Sequence, residues 1–191
     1  MNTVEPIRDP RKISAIKNML RGVNQPRDYL LFVLGINVAL RITDLLSLRS
    51  SDVYHPDGSV KPALYLRERK TGKENKIALS PNAREVLEYY RDQVHPQPND
   101  YLFIGTRPDK PLSRFQAWRL IQSWCESVGL ASGRYGTHTL RKTWGYQARK
   151  YHGVALELIQ AKFNHSSPSE TKRYIGISED EVSETEEKVN L

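Results

Sequence analysis

Cysteine is all but missing from this sequence: of 191 residues only Cys125 is one, so no disulfide can close within the chain. No CxxC or HExxH pattern frames a metal ion, and no glycine-rich phosphate loop is present, so neither a metal nor any other cofactor is expected. Cys125 stands between Trp124 and Glu126 in a helical stretch and reads as a core or inert residue, not a nucleophile. Long apolar runs are missing too. No stretch approaches the roughly 18 apolar residues of a membrane span, and the opening MNTVEPIRDPRK has no apolar signal segment. The expected compartment is the cytoplasm, with no membrane partner.

What is there suits one packed domain. Hydrophobic residues make up 38% and charged residues 27%, with ten Tyr and three Trp, a balance that argues against disorder. Basic residues number 29 against 22 acids, and the surplus is uneven. Residues 175–191 hold six acids (Glu179, Asp180, Glu181, Glu184, Glu186, Glu187) and one base, Lys188, which leaves the preceding 174 residues with a surplus of twelve positive charges. A body this basic attracts polyanions by counterion release, which makes nucleic acid the first partner to consider and an anionic membrane surface the second.

Apolar spacing predicts an amphipathic helix over residues 11–21, with Asp9 as N-cap, and a more apolar helix opened by Pro26 that belongs in the core. Arg41 follows directly, at the start of a short helix that Thr43 or Asp44 would cap. Residues 52–79 change to alternating, turn-punctuated sequence and predict a small antiparallel sheet with Lys70 at its turn. Ser80-Pro81 opens a helix to about Val94, and Ser113 with Gln116 forms a capping box for a helix running to Gly129. Helices are then expected from about His138 to Tyr151 and around residues 154–162. A hinge-like segment over residues 164–169 follows. Ser178 with Glu181 predicts a last acidic helix.

Read together, Ala39-Leu40-Arg41-Ile42-Thr43-Asp44-Leu45, Lys70-Thr71-Gly72, His138-Thr139-Leu140-Arg141 and Asn164-His165-Ser166-Ser167, with Tyr174 nine positions beyond His165, resemble the tyrosine recombinase (phage integrase) family over roughly residues 25–178. Each element is weak alone; their order and spacing carry the resemblance. It implies an α+β fold, mainly helical with a small antiparallel sheet: a catalytic domain over residues 1–178 and an acidic tail helix over 179–191. It further implies that Arg41, Arg141 and His165 hold a DNA phosphate, His138 helps move a proton, Tyr174 attacks, and Lys70 protonates the leaving 5′ oxygen. The implied partners are double-stranded DNA and, in a synaptic complex, three further copies of the chain, which would be monomeric without DNA. Lys73, Lys76, Lys142, Lys172 and Arg173 flank this set and read either as phosphate contacts or as solvated surface cations. Trp144 reads as core packing, and His95 as loop surface.

Two departures from the family pattern matter. Asn164 stands where the family usually has Gly, and Asn tolerates left-handed backbone angles better than other side chains. Only about 24 residues precede the second helix, which implies either a minimal recombinase or a separated catalytic domain. The acidic tail reads equally as a segment docking on a neighbouring subunit or as a frayed terminus. A type IB topoisomerase-like activity and a non-cutting DNA-binding regulator are the rival functions.

Overall fold

Proline and short polar caps set where the helices begin. In the computed structural model, which describes residues 4–67, 72, 74–107 and 109–177, α1 spans Pro10–Gly22 and the Asp9 carboxylate accepts from the Arg11 amide at 2.8 Å. Helix α2 (Pro26–Val38) buries Leu30, Leu31, Phe32, Val33, Leu34 and Val38 and packs against α1, α5 (Pro81–Val94) and α7 (Thr139–Lys150), so it lies at the centre of the core, as its all-round apolarity predicts. Ala39 then takes a left-handed conformation, φ 56° and ψ 29°, which turns the chain into α3 (Ile42–Leu46). The expected cap at Thr43 or Asp44 is not formed. The helix begins before them, with Arg41 as its extended flanking residue and Asp44 buried within it.

After the short α4 (Ser50–Val53), strands β1 (Ala63–Arg67) and β2 (Glu74–Ala78) pair antiparallel, with Leu64 opposite Ile77 and Tyr65 opposite Lys76. Alternation puts the first pair in the core and the second in solvent. Lys70, expected at the turn of the sheet, and Lys73 lie outside the described residues, as does the predicted tail helix. Ser80 caps α5, and Ser113 and Gln116 make both bonds of the capping box on α6 (Arg114–Ser127). Helix α8 covers Leu156–Phe163. The expected hinge proves shorter than residues 164–169, because Ser167 caps a further helix, α9 (Pro168–Ile175), by accepting from the Glu170 amide at 3.1 Å. Among the described residues the architecture is therefore mainly helical with one two-stranded antiparallel sheet.

Among the described residues, buried side chains form two clusters. The main core joins α1–α7 and the hairpin; a smaller satellite of Ala39, Ala148, Ile159, Phe163 and Ile175 is shared by α7, α8 and α9. Residues 4–9 run as a strap along α7. Within it the Ile7 amide donates to Thr143 Oγ1 at 2.8 Å, Thr139 Oγ1 donates to the Glu5 carbonyl at 2.9 Å, and Gln147 Nε2 donates to the carbonyls of Ile7 and Arg8. Among the described residues no helix is long and apolar enough to cross a membrane.

Candidate active site

Arg141 organises the site from beneath. It is only 4% exposed, and its guanidinium donates to the Ala39 carbonyl at 2.5 Å and to the Phe163 carbonyl at 2.9 Å while lying 4.6 Å from the Phe163 ring centroid. Those two carbonyls precede the Arg41 and His165 motifs, so one buried cation ties α7 to both. Arg41 flanks α3 at the same place, half-buried. Asn164 ends α8 with φ 53° and ψ 46°, the left-handed turn that Asn was expected to tolerate in place of Gly.

Helix α9 sets Tyr174 into this frame. Its ring meets His165 at 4.9 Å and Phe163 at 5.3 Å between centroids, both near edge-on, and its hydroxyl lies 3.1 Å from His138 Nδ1. His138 is not inside α7 but is its N-cap residue, so the imidazole is displayed at the helix mouth and Arg141 sits one turn in. Loss of solvent pushes the Tyr174 phenol above its ordinary value, and the charge and hydrogen bonding of Arg141, with the charge of Arg41, oppose this. His138 is held below the ordinary imidazole value, first by desolvation against the site and then by Arg114, Lys142, Arg141 and Arg41. Both shifts favour the neutral forms, and in the tautomer that carries its proton on Nε2, His138 Nδ1 accepts from the phenol.

His165 is shifted down as well, by burial first, with Glu170 opposing and the two arginines adding to the effect. Its Nδ1 lies 3.1 Å from Thr171 Oγ1, which also reaches the Ser167 carbonyl at 3.2 Å. A hydroxyl has one proton to give. When Thr171 donates it to His165 Nδ1, Nε2–H becomes a donor toward the site; when Thr171 donates it to Ser167, Nε2 of the neutral ring is an acceptor.

The flanking cations divide. Lys76 on β2 and Lys172 and Arg173 on α9 are exposed, while Lys142 is turned inward: it is 5% exposed, with Nζ 5.1 Å from the Tyr174 ring centroid. Lys142 is therefore a cation of the site's interior and not a flanking surface charge, and desolvation holds it below the usual lysine value against the pull of Glu5. Trp144 packs on Phe163, Cys125 is buried with its thiol pushed up to about 12, and His95 lies exposed in a loop, each as expected. Sequence reading missed a surface on α6. Phe115 and Trp118 are exposed and stacked at 5.6 Å, Arg119 covers Phe115, and Arg114 bears on His138. The signal was present in RFQAWR, an aromatic–basic run whose two aromatic residues lie off the buried face of the helix. Among the described residues no three His, Cys, Asp or Glu side chains gather to hold a metal ion.

The phage integrase family model matches residues 9–181. The probable integrase/recombinase YoeC of Bacillus subtilis (strain 168) is 44% identical over 181 residues, covering 94% of this chain and 93% of that protein. A tyrosine recombinase of Pseudothermotoga lettingae is 30% identical over 191 residues, and the match spans 94% of this chain but 63% of that longer protein. Among solved structures, the XerH site-specific recombinase bound to a palindromic difH substrate, a post-cleavage complex, has the same fold, with TM-score 0.72 at 18% identity over 96% of this chain and 51% of that one. On the extent of the family match and the identity to a near full-length relative, this chain belongs to the phage integrase family of tyrosine recombinases, the DNA strand-transferring enzymes.

Proposed function

We propose that the protein is a site-specific DNA recombinase that cuts and rejoins strands through Tyr174. The observation that carries this reading is the 3.1 Å contact between Tyr174 Oη and His138 Nδ1 beside the charges of Arg41 and Arg141. For the phenol to attack phosphorus its proton must leave, and neutral His138 takes it at Nδ1 as the bond from Oη to phosphorus forms and the bond to the 5′ oxygen breaks. Charge builds on the non-bridging oxygens, where Arg41 and Arg141 supply permanent cations and His165 a further donor. Lys70 hands a proton to the departing 5′ oxygen. The 3′-phosphotyrosine keeps the phosphoester energy, so the 5′-hydroxyl of another strand reverses the step with no ATP consumed.

The exposed Lys76, Lys172 and Arg173, joined by Arg114 and Arg119 on α6, form the face that meets duplex phosphates. The stacked Phe115–Trp118 pair supplies an apolar contact between them. Exchange between two duplexes needs four cleavages, so four copies assemble on DNA from monomers in the cytoplasm, and residues 179–191 link neighbours. The test is a covalent one. The protein is incubated with supercoiled plasmids carrying genomic fragments of its host, the mixture is denatured in detergent, and the DNA held by the protein is sequenced. A defined set of adducts that Tyr174→Phe abolishes is expected, whereas adducts that survive in Tyr174→Phe refute the nucleophile.

A further inference from the structure

Tyr174 rides on an eight-residue helix, and a helix that short has little stability of its own in water. Its position comes from what grips it. One grip is Ile175 in the satellite core, and another is Thr171, fully buried beside His165. A third comes from the opposite end of the sequence. Arg8 Nη2 donates to the carbonyl of Gly176 at 2.7 Å, and Gly176 is the residue that ends α9 with φ 77°. The last carbonyls of a helix have no partner within it and carry the negative end of its dipole, so a guanidinium there both caps and attracts.

Arg8 is aimed at that carbonyl. Its guanidinium lies 4.9 Å over the Tyr146 ring, the Glu5 carboxylate stands 3.4 Å from it, and its own carbonyl accepts from Gln147 on α7. Pro6 packs beside the same turn, 3.5 Å from where a Gly176 Cβ would stand. The strap bears on Tyr174 from a second side, since the Glu5 charge acts on Lys142, whose ammonium lies over the Tyr174 ring.

We infer that Arg8 is a positioning residue for the nucleophile: the strap clips the C-terminal end of α9 and thereby holds Tyr174 Oη against His138 of the same chain. The inference rests on the proposed role of Tyr174. It assigns to a residue 166 positions away in sequence a part in the alignment of the reacting oxygen, with no contact to DNA required.

Wild type, Arg8→Ala and Arg8→Lys are compared on the DNA site recovered by the adduct assay. Adduct formation at saturating DNA is expected to fall roughly tenfold in Arg8→Ala, the equivalent of one charge-assisted hydrogen bond, and to recover in part in Arg8→Lys. DNA affinity and melting temperature stay near wild type, because α1–α7 keep their core. Amide hydrogen exchange in residues 171–175 of the DNA-free protein quickens in Arg8→Ala while that of α2 does not. A wild-type adduct rate in Arg8→Ala, or a loss shared equally by α2 protection and melting temperature, overturns the inference. Absence of any adduct from the wild-type protein instead defeats the functional reading, and unchanged exchange at residues 171–175 then still overturns the clip.

Discussion

Gly145→Ala asks how tightly the nucleophile's helix is seated. A Cβ at Gly145, midway along α7, would lie 2.6 Å from Ile175 Cγ2 and 2.8 Å from two ring atoms of Phe163. Neither neighbour has slack, because both are fully buried and Phe163 is also held through its carbonyl by Arg141. Restoring ordinary contact, about 3.5–4.0 Å between carbons, requires α9 to move off α7 by about 1 Å. Overpacking of this kind costs about 1–3 kcal/mol, and the gain from replacing a mid-helix glycine by alanine offsets about 1 kcal/mol of it. The remainder, up to about 2 kcal/mol, falls on the docking of α9 and corresponds to as much as roughly 30-fold in its equilibrium. Two measurements follow. Hydrogen exchange of the amides of residues 171–175 should quicken by up to roughly 30-fold, and adduct formation should slow on the order of 100-fold, the effect of misplacing a reacting atom by about 1 Å. Protection of residues 171–175 at the wild-type level would show that the satellite core absorbs the methyl group, and the reasoning from close contact would then be wrong.

Four other outcomes are expected. If His138 accepts the phenol proton as proposed, it must be neutral to do so, and since it is held below the ordinary imidazole value the acid limb of the cleavage rate should lie below pH of about 6.5, and His138→Gln should remove that limb. The same depression, shared by His165, means that below about pH 6.5 the unfolded chain binds protons the folded chain refuses, so melting temperature should fall between neutral pH and pH 5, and by less in His138→Gln. Arg141→Ala leaves the Ala39 and Phe163 carbonyls buried without their donor, a loss of about 3 kcal/mol that should lower melting by roughly 10 °C as well as abolish the adduct. Cys125, with its thiol pushed up to about 12 and buried, should resist maleimide until the protein is unfolded, which mass spectrometry would show.

Where local chemistry decides structure, the sequence was legible. Asp9, Ser80 and the Ser113–Gln116 pair start helices for reasons contained within four residues, and the antiparallel pair follows from alternating, turn-punctuated sequence. The start of helix α9 was misread as hinge although Ser167-Pro168 repeats the Ser80-Pro81 start signal, because the helix is only eight residues long and buries just Thr171 and Ile175. Lys142 was misplaced for a different reason. Helix α7 is enclosed by the main core, the satellite and the strap, so Thr139 through Thr143 are all buried and no polar face exists to read. The strap itself is invisible in sequence, since its partners on α7 lie 134 to 140 residues away and Glu5–Arg8 has no periodic pattern. The order of the motifs named the chemistry, while the pairing of Tyr174 with His138 required the fold.

The bonds made by Arg141 have a consequence for tolerance in the mechanical sense. Because its two acceptors are the carbonyls of Ala39 and Phe163, each two residues ahead of another candidate site residue (Arg41 and His165), the spacing among the three groups is gauged by dipeptide lengths from a common fastener, not by the stacking of whole helices. A displacement of α2 or α8 against α7 is therefore opposed at the motif itself, by a bond from the same guanidinium. On the proposed function, a phosphate entering between them meets a set aperture, and the grips on α9 hold Tyr174 at its edge.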